Sequence, residues 1–206
     1  SWDIDDETHR RIVSVLRAKP RRTASGVATI TVLTKPWPCG SDCIYCPNDI
    51  RMPKSYLSDE PACQRAERNF FDPYLQVVSR MSVLQDMGHI TDKVELIVLG
   101  GTWSDYPDDY RIWFTTELFR ALNDLGCKYE DKNINSSFAH IEAQHLRDTY
   151  DSLGYKSDVD TLKEQAAYMQ SKVDKGAISY NEAIQHLEDS YKKEKLSARR
   201  SLPVVI

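Results

Sequence analysis

Two short runs of β-branched and aliphatic residues limit what this chain can fold into. Residues 27–33 (VATITVL) and 94–99 (VELIVL) each have the length and composition of a buried strand. The stretch between them is too long for a hairpin and carries helical patterning. Residues 60–72 look helical. Pro73 restarts a helix that runs through Met87, with Tyr74, Val77, Val78, Met81 and Leu84 as its apolar stripe and Gly88 as its stop. After the second run, residues 107–125 repeat Trp113, Phe114, Leu118, Ala121, Leu122 and Leu125 at helical spacing, with Gly126 behind them. The order strand, helix, strand, helix is that of parallel βα units, so the fold class is α/β.

The flanks are helical. Residues 5–18 read as a helix with Ile12, Val13 and Leu16 on one face, ended by Lys19-Pro20. Residues 21–26 read as a polar, basic loop. From about 137 to 197 the sequence predicts three helices and no strand. Ile141, His145, Leu146, Tyr150 and Leu153 mark the first. Val159, Leu162, Ala166, Met169 and Val173 mark the second. Ala183, Ile184, Leu187 and Tyr191 mark the third, and Ser179 with Glu182 forms a capping-box pattern before it. Gly154 and Gly176 separate these helices. Residues 202–206 (LPVVI) read as the start of a third strand.

A length of 206 residues fits one domain, and 41% hydrophobic with 28% charged residues excludes a disordered tail or a collagen-like repeat. No apolar run approaches the roughly 18 residues of a spanning helix. The acidic opening, residues 1–6, lacks a basic-then-apolar leader pattern, which reads as a cytoplasmic chain. The net charge of −4 hides an asymmetry. Residues 8–35 hold Arg10, Arg11, Arg17, Lys19, Arg21, Arg22 and Lys35 and no acidic residue. Residues 104–160 hold twelve acidic and six basic residues. A basic arm on an acidic body suits an anionic partner such as RNA; a solvated basic helix and loop is the plainer reading.

Five cysteines, Cys39, Cys43, Cys46, Cys63 and Cys127, are an odd set for a disulfide framework. Cys39, Cys43 and Cys46 form CxxxCxxC in a loop bracketed by Pro36, Pro38 and Pro47, directly after the first strand. Thiolates ligate iron–sulfur clusters and zinc. Zinc prefers four closed ligands, and Cys63 would be a fourth at an unusual spacing within a predicted helix. No histidine falls between residues 9 and 89, and nothing pairs His140, His145 and His186 into a ligand set. Three thiols without an evident fourth fit a four-iron cluster with one open iron; a zinc site is the alternative.

CxxxCxxC with an aromatic residue before its last cysteine, after a first strand, resembles the radical S-adenosylmethionine superfamily. Gly100-Gly101-Thr102 after the second strand is the second mark of that resemblance. The likeness narrows to the catalytic subunit of Elongator and its bacterial and archaeal relatives. It is carried by Arg22-Thr23-Ala24-Ser25-Gly26, Lys35-Pro36, Cys46-Pro47, Ser55-Tyr56, Glu60-Pro61, Asp72-Pro73-Tyr74-Leu75-Gln76, Leu84 to Gly88, and the run from Asp92 to Thr102. It covers roughly residues 21–125.

The resemblance implies a partial radical S-adenosylmethionine βα barrel with parallel strands and a helical insertion. It implies an enzyme that modifies C5 of the wobble uridine of tRNA, with a carboxymethyl-type group made from acetyl-CoA. Cys39, Cys43 and Cys46 would ligate a 4Fe-4S cluster. Tyr45 would lie near the adenine of S-adenosylmethionine, and Gly100, Gly101 and Thr102 would hold its methionine end. Lys19, Arg21, Arg22 and Lys35 become candidate contacts to the anticodon region of tRNA. No residue is assigned as a catalytic acid or base.

The expected organisation is an N-terminal helix and basic arm (1–26), the first βα units with the cluster loop (27–127), a helical insertion (128–197), and the beginning of a third strand (198–206). The family continues into more strands and an acetyltransferase domain, so the isolated chain is expected to be inactive and to associate with that remainder or other subunits. The family's glycine and tyrosine before Glu60-Pro61 are Ser58 and Asp59 here, and residues 48–51 lack its glycine-proline-aspartate pattern. A radical enzyme with a non-tRNA substrate and a zinc-binding interaction module are the competing readings.

Overall fold

The computed structural model describes residues 4–41, 43–126, 135–152 and 160–194. Its centre is a pair of parallel strands, β1 (Ala28–Leu33) and β2 (Val94–Leu99). They pair in full register from Ala28 opposite Val94 to Leu33 opposite Leu99. Both therefore end together, and the segments that follow them leave from one end of the sheet. That placement follows from the parallel pairing alone.

The connection between the strands holds α2 (Pro61–Arg68) and α3 (Pro73–Asp86). The single helix expected over 60–72 is shorter. Phe70 and Phe71 both take positive φ (57° and 54°), which breaks the helix before Asp72. Asp72 then caps α3 by accepting from the Leu75 N–H at 2.9 Å, and Pro73 takes the first helical position. Gly88 ends α3 at φ 76°, as its position predicts. The α4 helix (Asp108–Gly126) packs on α3, and α5 (Asn135–Ser152) packs on both.

The main core lies between the sheet and these helices. Ile30, Val32, Tyr74, Leu75, Val77, Phe114 and Leu118 are its centre. Gln76 is buried in it without cost, because its amide serves both backbone groups of Leu33: it accepts from the N–H and donates to the C=O, each at 2.9 Å. The α6 (Asp160–Asp174) and α7 (Tyr180–Glu194) helices build a separate core around Ile50. The predicted capping box before α7 forms. Ser179 N–H donates to Glu182 Oε2 at 2.7 Å, and Glu182 N–H donates to Ser179 Oγ at 3.2 Å.

The α1 helix (Asp6–Leu16) departs from expectation. Its face of Ile12, Val13 and Leu16 buries no residue; Val13 alone is half-buried, against Gly88. Pro20 and residues 21–23 of the expected loop form a 3-10 turn, Pro20–Thr23, preceded by Lys19 at φ 53°. Thr23 is buried there, with its hydroxyl 2.9 Å from His89 Nδ1. Two parallel strands and seven helices are described, a mixed architecture compatible with an incomplete α/β fold. No helix among the described residues is long and apolar enough to cross a membrane. The third strand predicted at 202–206, Leu153, Gly154, Val159 and Cys127 lie outside the described residues, as do the side chains of Leu162 and Tyr191.

Candidate functional site

The shared register of β1 and β2 brings the cysteine loop and the Gly100-Gly101-Thr102 turn side by side. Thr34, the first residue after β1, continues the pairing with its N–H donating to Leu99 O at 2.9 Å. Gly100 stands against it so closely that a Cβ there would lie 1.9 Å from Thr34 Oγ1. This is the position where the turn demands glycine. Five residues further along the loop, Cys39 places its Sγ 3.3 Å from Thr102 Oγ1. The two motifs, far apart in sequence, thus touch.

The turn after β2, Trp103–Asp105, also anchors the loop entrance. Gly40 N–H donates to Asp105 Oδ2 at 2.7 Å, and Trp37 Nε1–H donates to Asp105 O at 2.9 Å. Behind it lies a ladder of aromatic rings. Tyr106 stacks on Trp37 and Tyr110, and its hydroxyl lies 2.8 Å from Thr34 Oγ1 and donates to Lys35 O at 2.9 Å. Burial raises the Tyr106 phenol above its ordinary value, so it stays a neutral donor.

The other side of the loop is held by the C-terminal helices, which sequence reasoning did not connect to the site. Asn181 of α7 accepts from Cys39 N–H at 3.0 Å and donates to Cys39 O at 2.7 Å. Gln170 of α6 accepts from Ile50 N–H at 2.9 Å and donates to Asn48 O at 2.8 Å. Tyr180 donates to Met52 O at 2.8 Å. Amide side chains on exposed helix positions carry no distinctive spacing, so only the folded chain reveals this role. Lys54 was also missed. It is buried against Gly101, bonds Asn48 Oδ1, and lies 4.7 Å from the centre of the Tyr180 ring.

The three cysteines are placed unequally. Cys39 is buried and anchored on every side. Cys43 and Cys46 are half-buried in a turn closed by Cys46 N–H donating to Cys43 O at 3.1 Å. Cys46 Sγ lies 3.1 Å from Ser55 Oγ, and Ser55 has φ 83°. Tyr45 is 84% exposed at the tip. Its phenol is raised first by the charge of the Cys43 thiol beside it and then by a hydrogen bond to it. Among the described residues, no three His, Cys, Asp or Glu side chains converge as a metal ligand set. The donor chemistry of three thiols on one loop still fits a thiolate-bound cluster, and Thr102 and Ser55 hold two of those sulfurs by hydrogen bonds. Cys63 stands apart in α2, fully buried, its thiol pushed up to about 11 by burial.

A cleft of about 480 Å³ adjoins Gly100 and Gly101, between Thr34, Tyr56, Leu96, Val98, Trp103 and Phe119. It is mostly apolar with polar groups at the glycine end, the character of a small-molecule site. Of the candidate RNA contacts, Lys19, Arg21 and Arg22 lie exposed at the turn before β1. Lys35 lies within the ladder instead, 4.4 Å from the Trp37 ring and 5.5 Å from that of Tyr110.

No family model matches the chain. Curated proteins do. Over 124 residues, 59% of this chain, it is 44% identical to the tRNA uridine(34) acetyltransferase of Dehalococcoides mccartyi. Over 143 residues, 66% of the chain, it is 38% identical to the tRNA uridine(34) acetyltransferase of Methanocaldococcus infernus. Over 125 residues, 55% of the chain, it is 43% identical to Elongator complex protein 3 of Danio rerio. The chain spans only about a quarter of these relatives, 27%, 27% and 23% of their lengths. Over roughly three fifths of its length this chain is homologous to the tRNA uridine(34) acetyltransferases and Elongator complex protein 3.

Proposed function

We propose that this chain forms part of a radical S-adenosylmethionine enzyme that modifies uridine 34 of tRNA. The observation that carries the reading is the contact between its two motifs, Cys39 Sγ against Thr102 Oγ1 at 3.3 Å, at the end of the sheet where both strands stop. Ligands of open α/β sheets bind beyond the carboxyl ends of the strands. The names of the relatives supply the tRNA and the acetyl group.

Cys39, Cys43 and Cys46 would hold a 4Fe-4S cluster. A bound cluster with one open iron supplies one-electron reduction of S-adenosylmethionine. The chain's own residues do the rest. Thr102 and Asn181 fix Cys39 in place before any ligand arrives. Gly100 and Gly101 let the turn pack closely on Thr34 and Lys54, and the turn so held would offer its backbone at the cleft to a ligand's amino-acid end. The apolar cleft beside them, open to solvent along Val98, Trp103 and Phe119, would receive the rest of the ligand. Tyr45, exposed at the tip, stands ready to lie on the adenine. In the full enzyme, acetyl-CoA would donate the two-carbon unit that becomes the carboxymethyl-type group.

Anaerobic reconstitution with iron and sulfide tests this. The expected result is a brown chain with equal iron and sulfide, whose reduced paramagnetic spectrum changes on adding S-adenosylmethionine. Stoichiometric zinc with no bound iron would sink the proposal.

A further inference from the structure

Beyond the cysteine loop the chain makes a tight turn through Pro53, Lys54, Ser55 and Tyr56. Tyr56 N–H closes it by donating to Pro53 O at 3.2 Å. Ser55, third in the turn, has φ 83°, while Lys54 before it does not take positive φ. That is the pattern of a type II turn, whose third position favours glycine because a Cβ is strained there. This chain places serine at it.

The turn cannot relax, because both neighbours of Ser55 are held. Lys54 is buried, bonds Asn48 Oδ1 and stands 4.7 Å from the centre of the Tyr180 ring. Tyr56 packs against the small core of Leu33, Met52, Cys63 and Ala66. Ser55 itself is exposed, so packing gives no reason for a side chain at this point. The partner of its hydroxyl is Cys46 Sγ, 3.1 Å away. Cys39 is served differently. Thr102 reaches the Cys39 Sγ at 3.3 Å from a backbone at φ −61°, where any residue is at ease. A hydroxyl bond made at a glycine position, against backbone strain, points to a use for that hydroxyl.

A sulfur bound to a metal has no proton, so in the loaded site the Ser55 hydroxyl must donate. Its positive end then faces Cys46 Sγ. A bound cluster that takes one electron from a low-potential one-electron donor gains negative charge at its sulfurs, and a donor already aimed at one of them favours the reduced state. The hydroxyl keeps its proton, and no bond of the chain forms or breaks. We infer that Ser55 is a positioning residue that raises the reduction potential of a cluster held by Cys39, Cys43 and Cys46, acting through its hydrogen bond to Cys46. The inference rests on the reading of these cysteines as cluster ligands.

The test compares the 206-residue parent with Ser55→Ala and Ser55→Gly. Each is reconstituted anaerobically with iron and sulfide, then titrated with dithionite against redox dyes while the paramagnetic signal of the reduced state is read. Both variants lose the hydroxyl, and only Ser55→Gly also relieves the backbone. The expected result is parent-like iron in both and a lower potential in both. The equilibrium constant for one-electron reduction falls roughly three- to tenfold in each, the worth of one hydrogen bond. Urea unfolding of the metal-free chains separates the strain: the midpoint rises in Ser55→Gly and holds in Ser55→Ala.

Parent potentials in both variants, with iron fully bound, would overturn the inference and leave the cluster reading standing. A shift in Ser55→Gly alone would assign the effect to the backbone and overturn the role of the hydroxyl. Loss of iron from both variants would make Ser55 a support for the ligand loop in place of a control on its potential. A parent chain that takes up zinc and no iron would overturn the reading beneath, and the inference with it.

Discussion

The helices of the C-terminal half attach to the βα core by two different chemistries. The α5 helix packs on α3 and α4 and joins them through side-chain contacts to the turn between α2 and α3. Tyr150 stacks on Phe70 with ring centres 4.8 Å apart, and its hydroxyl donates to Asp72 at 2.7 Å. Arg147 donates to Asn69 Oδ1 at 2.6 Å. The α6 and α7 helices dock on a loop, and their amides bond its backbone at Cys39, Asn48 and Ile50. The first joint closes the main core; the second fixes the conformation of the segment that carries the cysteines. A change in the first is read in the stability of the whole chain. A change in the second is read at Cys39.

The largest expected effect separates them most cleanly. Tyr150→Ala removes a buried ring from the core and leaves Asp72 without one of its donors. The cost is about 3–5 kcal/mol of unfolding free energy, measured by urea titration. Labelling of Cys39 by a thiol reagent under native conditions stays at the parent rate. A parent-like urea midpoint, or a Cys39 rate raised as far as by changes in α7, would break the distinction between the joints.

The next effect is in pH. Asp72 is buried at this joint, and burial raises its carboxyl to about 6, against the lowering by the Leu75 N–H and the Tyr150 hydroxyl. The ordinary value is 3.8. The native chain therefore binds the proton more tightly than the unfolded chain between those values. The stability from this group is full below the ordinary value and is lost as pH rises through about 6. Asp72→Asn keeps an acceptor for Leu75 N–H and carries no charge, so its urea midpoint should be flatter across that window. A steeper loss with pH in the variant than in the parent would reverse the assignment.

The same contrast explains what could be read in advance. The main core was legible because its side chains repeat at the periods of helix and strand: Val77, Val78, Met81 and Leu84 of α3, Phe114 and Leu118 of α4, and Ile30 and Val32 of β1 are all buried. The contact of Cys39 with Thr102 was implicit in two parallel strands of equal length followed by short motifs. The positive φ values at Phe70 and Phe71 were not legible, because nothing local marks bulky residues for that conformation. The exposure of the α1 face was equally hidden. Periodicity reports an amphipathic helix and not whether the chain supplies something to cover it. Asn181, Gln170 and Lys54 were invisible for a third reason: they act on backbone or bury a charge more than a hundred residues away or within an irregular loop, where no period exists.

A smaller, local effect is the most informative about the site. Asn181→Ala deletes both hydrogen bonds to Cys39. Leaving a partly buried N–H and C=O without partners costs about 1–3 kcal/mol, felt first as local opening of the loop. Cys39 should then react faster with a thiol reagent, by more than Cys43 or Cys46, which Asn181 does not touch. Cys63 provides an internal reference, since its burial and raised thiol keep it the slowest to react. Ile44→Ala, at a side chain standing fully in solvent, should change stability by less than about 0.5 kcal/mol and leave Cys39 unchanged. Equal acceleration of all three loop cysteines by Asn181→Ala would mean that α7 supports the loop as a unit. Acceleration confined to Cys39 would mean that the chain fixes one thiol by itself and leaves Cys43 and Cys46 to be gathered by what binds there.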